Sequence, residues 1–230
     1  MTLPDDADPI DVARHHFHGT NRDDGAGARD ERDDAPESPE ARRRRQVRSA
    51  VEWVVVIGGA LVVALLVRTF LFTTFWIPSG SMEPTLMGNG RHDRVVVNKI
   101  AYRIGEPERG DIIVFSLPPG VQVEAVNGQE VNDLIKRIVG LPGETITLRD
   151  GDVYVDGERL DEPYLPDGTE TTATCGVDTF EVPEGAVFVM GDNRGASHDA
   201  RCWEQHWVDE DTIVGKAILR IWPLGAFGRI

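Results

Sequence analysis

Apolar positions fall into one long block followed by many short ones. From Trp53 the chain runs Val-Val-Val-Ile-Gly-Gly-Ala-Leu-Val-Val-Ala-Leu-Leu-Val67, meets Arg68, and is mostly apolar again from Thr69 to Ile77. The uninterrupted part is about 15 residues, roughly 22 Å of helix, short of the ~30 Å hydrocarbon layer of a bilayer. Extension through Phe72 or beyond completes a span, with Arg68 snorkelling to the interface. Trp53 and Phe75-Trp76 stand where interfacial aromatic belts fall. The block is apolar on all sides, unlike a one-faced core helix. It starts late and ends in Thr-Thr-Phe-Trp, unlike a cleavable leader. Pro78 lacks an N–H and disfavours helical geometry in the residue before it, so the helix is predicted to stop there. One membrane anchor over residues 51–77 is the expectation.

Beyond Arg91 the period changes. Short β-rich runs recur at Arg94 to Val97, Asp111 to Phe115, Leu134 to Val139, Thr145 to Leu148, Asp152 to Val155, Ala186 to Met190 and Ile213 to Ile221. Turn signals separate them, among them Pro118-Pro119-Gly120, Pro142-Gly143, Asp150-Gly151, Asp156-Gly157 and Pro183-Glu184-Gly185. The pattern predicts a mainly β domain over residues 78–230, barrel-like, after the single N-terminal transmembrane helix.

The first 50 residues read differently. They are rich in Asp, Glu, Arg, Gly and Pro without apolar periodicity, the composition of a disordered tail, and they end in Arg42 to Arg45 plus Arg48. Arginines on this side of the span predict tail inside and domain outside. His15, His16 and His18 sit together in the tail and could ligate a metal, but loose histidines there are read as incidental, so no metal or cofactor is expected. The whole chain has 230 residues and a net charge of −15. That sign opposes nucleic-acid binding, which needs clustered Lys and Arg. Cys175 and Cys202 are the only cysteines. Outside the cytoplasm a disulfide between them is the expectation, with two unrelated buried thiols as the alternative.

Candidate chemistry lies just after the anchor, where Ser79 and Ser81 flank Gly80. A serine hydroxyl needs a base within hydrogen-bond reach to act as a nucleophile. Past the tail, His92, His198 and His206 are available, with Asp192 or Asp199 as possible partners. Lysine is the other option, and only Lys99, Lys136 and Lys216 lie in the domain. In the run Leu134 to Val139, alternation places Lys136 on one face with Leu134 and Ile138. An amine there is a candidate for desolvation, which favours its neutral form; a strand lysine with its head in water is the plain alternative.

Four segments follow the anchor in order: Pro78-Ser-Gly-Ser-Met-Glu-Pro-Thr-Leu86, Arg109-Gly-Asp-Ile-Ile-Val-Phe115, Ile135-Lys-Arg-Ile-Val-Gly-Leu-Pro-Gly-Glu144 and Gly191-Asp-Asn-Arg-Gly-Ala-Ser197. Together they resemble the bacterial type I signal peptidases, serine–lysine proteases that remove secretory signal peptides, over roughly residues 51 to 230. The resemblance implies that Ser81 is the nucleophile and Lys136 the general base. It implies an oxyanion hole from the Ser79 hydroxyl and the Ser81 backbone N–H, and a Ser197 hydroxyl that orients the lysine. Asp192, Arg194, Asp199 and Arg201 match a supporting charged segment, and Met82 is expected to help form the substrate groove. Implied substrates are secretory precursors with small residues, commonly alanine, at the first and third positions before the cut. Ala200 departs from the family, which often has serine there. A self-cleaving regulatory serine–lysine protease would lack the anchor, and a non-enzymatic adaptor would have no need of both Ser81 and Lys136.

Overall fold

The protein is described by a computed structural model covering residues 39–123, 128 and 130–230. The predicted tail with His15, His16 and His18 lies outside the described residues up to position 38. Contacts divide the chain into residues 1–54 and 55–230. The described part of the first unit is the N-terminal portion of helix α1 (Pro39–Phe70), and the second holds the rest of that helix and every strand.

Helix α1 begins on proline, which tolerates a first-turn position because its missing N–H would have no helical partner. Glu40 in the first turn and Arg68 in the last complement the helix dipole. Its stretch Arg43–Phe70 is long and apolar enough to cross a membrane, and none of its apolar window is buried by protein. Both predicted ends shift. The arginine block stands on the helix itself, since Arg and Ala are good helix formers. At the other end the helix stops at Phe70, and β1 (Phe72–Trp76) follows. Aromatic and β-branched Phe-Thr-Thr-Phe-Trp favours extended backbone, and strand pairing decides the matter. Phe72 lies opposite Asn98 and Trp76 opposite Arg94 of β2 (Arg94–Asn98).

A one-turn helix, α2 (Ala101–Ile104), leads to β3 (Ile112–Ser116) and β4 (Asp133–Gly140). The strands β5 (Thr145–Arg149), β6 (Asp152–Val155), β7 (Glu158–Arg159) and β8 (Thr179–Glu181) come next. They are followed by β9 (Ala186–Met190), β10 (Val208–Asp209), β11 (Ile213–Trp222) and β12 (Gly228–Arg229). All seven predicted runs are strands. The larger sheet has the order β1-β2-β11-β3-β4-β9-β10, with β12 beside β11; the smaller is β7-β6-β5-β8. Strands β1 and β10 stay unpaired with each other, so the mainly β class holds while the barrel is not closed.

Strand β3 separates two cores by alternation. Ile113 and Phe115 join Ile138, Phe188 and Trp203 of the larger-sheet region and Ile146, Leu148, Val153 and Phe180 of the smaller sheet. Ile112 and Val114 face Ile77, Met82, Leu86, Val95, Val97, Ile135 and Ala217. A disulfide joins Cys175 to Cys202, with Cα atoms 5.2 Å apart and a sequence separation of 27.

Candidate active site

The chain leaves β1 through Ile77-Pro78 and makes a single 3-10 turn, Gly80–Met82. Successive residues of such a turn point about 120° apart. Ser81 therefore faces a groove while Met82 is wholly buried in the second core with Ile77, Leu86 and Val95. The expectation that Met82 lines the groove is corrected on that ground. Gly191 comes so close to the turn that a Cβ there would collide with the Ser81 carbonyl and the Ser197 side chain. Gly88 is pressed equally hard against the Ser79 backbone.

Lys136 projects from β4, directly across from Ile113 of β3. The strand is covered on both faces, and only 3% of Lys136 is exposed. Its Nζ lies 2.9 Å from Ser81 Oγ and 3.0 Å from the carbonyl of Ile135. Burial pulls the amine down from 10.5 to about 8, while the carboxylates of Asp199 and Asp192 hold it up against a larger fall. With the amine neutral, the Ser81 hydroxyl donates to the nitrogen lone pair and an amine N–H goes to Ile135. Ser79 Oγ stands 3.3 Å from Ser81 Oγ. The groove encloses about 390 Å³ and is bounded by Ser79, Ser81, Lys136, Leu134, the Val121–Val123 segment and His198.

A buried ionic layer lies beside the lysine. Arg137, the residue after it, donates to both carboxylate oxygens of Asp192 (2.8 and 2.6 Å) and to the Gly110 carbonyl, and stacks 3.9 Å from the Tyr164 ring centre. Arg201 forms the same two-pronged pair with Asp199 (2.8 and 2.9 Å) and reaches the Arg194 carbonyl. Asp199 accepts the Gly191 N–H, and Arg194 pairs with Glu162 and Thr171. Each buried charge thus has a partner, which the cost of desolvation demands.

Residues 50–222 match the family "Signal peptidase, peptidase S26". The chain belongs to that family. It is 40% identical over 180 residues to probable signal peptidase I-1 of Synechocystis, covering 78% of this chain and 86% of that one. Signal peptidase I of Leptolyngbya laminosa is 37% identical over 201 residues, 85% of this chain and 91% of its own. Signal peptidase IB of Staphylococcus aureus is 34% identical over 191 residues, covering 77% and 92%. A crystal structure of a signal peptidase I from Enterococcus faecalis V583, 35% identical, covers 49% of this chain and 97% of its own at a TM-score of 0.38, too low to bear on the fold. The protein is accordingly a signal peptidase, a serine-protease hydrolase acting on secretory precursors, and α1 makes it membrane-anchored.

Within this signal peptidase the expected residues divide. Ser79, Ser81 and Lys136 meet at one groove, and Asp192, Arg194, Asp199 and Arg201 form the layer beside it. The predicted Ser197–lysine bond is not made: Ser197 is buried, yet its Oγ has no hydrogen-bond partner among the described residues. Its side chain packs against Gly191 instead. Ala200 is fully enclosed, and its carbonyl accepts from His206 Nδ1 at 2.7 Å. That contact withdraws His206 from the list of bases, and His92 is held against Trp76 and the Ile77 carbonyl. Arg137, Glu162, Tyr164 and Asn193 were not singled out from sequence. The pairing of Arg137 with a residue 55 positions away leaves no local signal, and Tyr164 sits in an irregular loop.

Proposed function

We propose that this signal peptidase cuts its precursors with a Ser81–Lys136 dyad through an acyl-enzyme. The 2.9 Å approach of Lys136 Nζ to Ser81 Oγ in a site that holds the amine near 8 carries the reading. Neutral Lys136 takes the Ser81 proton as Oγ adds to the scissile carbonyl. The resulting oxyanion is received by the Ser81 N–H and the Ser79 hydroxyl; donors of this kind are typically worth a few kcal/mol each. Protonated Lys136 gives its proton to the leaving amine of the mature chain, which breaks the C–N bond and leaves the signal peptide esterified to Ser81. The amine, neutral again, deprotonates a water that attacks the ester. Carboxylate product departs and the serine is restored.

Asp192 and Asp199, each neutralised by an arginine, supply a structured wall without a full negative charge against the amine. Ser197 belongs to that wall and acts by packing. The arginine block before the span and the Cys175–Cys202 bridge both support a cytoplasmic N-terminus and an extracytoplasmic catalytic domain. Phe75 and Trp76, close in sequence to Ser81, suit a site at the lipid surface. The net charge of −15 speaks against a nucleic-acid partner.

The test is cleavage of a purified secretory precursor by the full-length chain in detergent micelles. Ser81→Ala and Lys136→Met should each reduce cleavage to background with folding intact. Turnover retained by Lys136→Met would remove the lysine as base.

A further inference from the structure

The peptide unit between Gly80 and Ser81 is bound at one end and open at the other. Its carbonyl oxygen accepts two hydrogen bonds, from the Glu83 N–H at 3.2 Å and from Asn193 Nδ2 at 3.0 Å. A carbonyl can only accept, so the side-chain atom facing it is the amide nitrogen. At the opposite end of the same plane, the Ser81 N–H has no acceptor among the described residues. Ser81 as a residue is nearly buried and lines the groove, so a backbone N–H there without a protein acceptor is free to meet a ligand. Asn193 holds the turn a second time: its own backbone N–H donates to the Ser81 carbonyl at 3.0 Å. One residue therefore grips the carbonyls on both sides of the nucleophile's Cα, across 113 positions of sequence.

We propose that Asn193 is a positioning residue for the oxyanion, acting through the Gly80–Ser81 peptide. The peptide is planar, so fixing its oxygen fixes the direction of its N–H. Drawing electron density toward that oxygen also makes the N–H a stronger donor, as in any chain of coupled hydrogen bonds. Both effects matter only once charge develops on the substrate oxygen. They therefore belong to the transition state and leave ground-state binding untouched. The inference rests on the Ser81–Lys136 reading given above and adds to it the device that aims the hole.

The experiment is steady-state cleavage of a precursor peptide, with alanine at the first and third positions before the cut, by the full-length chain in detergent. Asn193→Ala should lower kcat about 10- to 100-fold, below the 10²–10³ typical of deleting an oxyanion donor outright, with KM unchanged within about twofold. Its pH–rate midpoint should match the parent's, because Lys136 is untouched. Affinity for a peptide boronic acid, which places an oxygen in the hole, should fall in proportion to kcat/KM. With Ser79→Ala the losses should combine to less than their product, since both act on one oxyanion. Asn193→Asp, equal in size but unable to donate, should lose at least as much as the alanine variant. It decides the matter if the alanine variant unfolds early. A kcat within about threefold of the parent in the folded variants, a loss confined to KM, a midpoint moved in Asn193→Ala or unchanged boronate affinity would each overturn the proposal. Ser81→Ala run alongside separates the two readings: activity surviving there defeats the dyad itself, whereas activity surviving only in the Asn193 variants defeats this inference alone.

Discussion

Lys136 is costly to the fold in the state that is inert as a base. Moving its pKa from 10.5 to about 8 corresponds to about 3 kcal/mol of lost stability while the amine is charged. Between those values the unfolded chain binds more protons than the folded one, so stability rises with pH across the window from about 8 to 10.5. Lys136→Met should therefore be as stable as the parent or up to about 3 kcal/mol more stable below pH 8, with the gap closing by pH 10.5; urea titrations at several pH values read this directly. Arg137→Met has the opposite sign. It strands Asp192, whose side chain is 0% exposed, and should cost about 3–5 kcal/mol in the same assay. Gly191→Ala forces a methyl group into the Ser81 carbonyl and should cost about 1–3 kcal/mol and much of the activity, because the serine itself must move. Alternation in Leu134 to Val139 made Lys136 a candidate and the position after the span made Ser81 one, but it was the resemblance that chose them over a water-facing strand lysine and a polar linker. Their meeting was not legible, since they lie 55 positions apart with the pairing of β3 and β4 between them. The ring of charges was half legible: Asp192 and Arg201 sat in a recognisable segment, while Glu162 and Tyr164 lie in a loop with no period.

Among the elements, β1 is the instructive departure. Five residues that read as the end of an apolar span instead form the edge of the larger sheet against β2. Hydrophobicity is shared by a lipid-facing helix and a half-buried strand; only the β-branched Thr73-Thr74 and the partner strand tell them apart. A soluble chain starting at Leu71 should thus fold and cleave peptides, whereas one starting at Ile77 loses β1, bares the β2 edge and should aggregate or melt earlier. Size-exclusion chromatography and thermal denaturation of the two truncations check this. Of the eight strands of four or more residues, the seven other than β1 were legible because hydrophobic runs and turn residues agreed there. The short β7, β8, β10 and β12 were not, because two or three residues carry no periodicity. The Cys175–Cys202 bridge closes a 27-residue loop against the segment that carries Asp199 and Arg201. Replacing both cysteines by serine should lower stability by about 3 kcal/mol, measured against the oxidised parent.

For the whole molecule, an acidic chain joins, among its described residues, an exposed apolar helix to a mainly β domain. The helix supplies attachment and the β domain supplies chemistry, and the proposed catalysis rests on a single uncharged amine. Its most direct measurement is the pH dependence of kcat/KM for precursor cleavage by the full-length protein in detergent micelles. The rate should climb about tenfold per pH unit in the acid range and level off above a midpoint near 8, where Lys136 loses its proton. A profile flat from pH 5 to 9, or one still rising toward the ordinary lysine value of about 10.4, would contradict it.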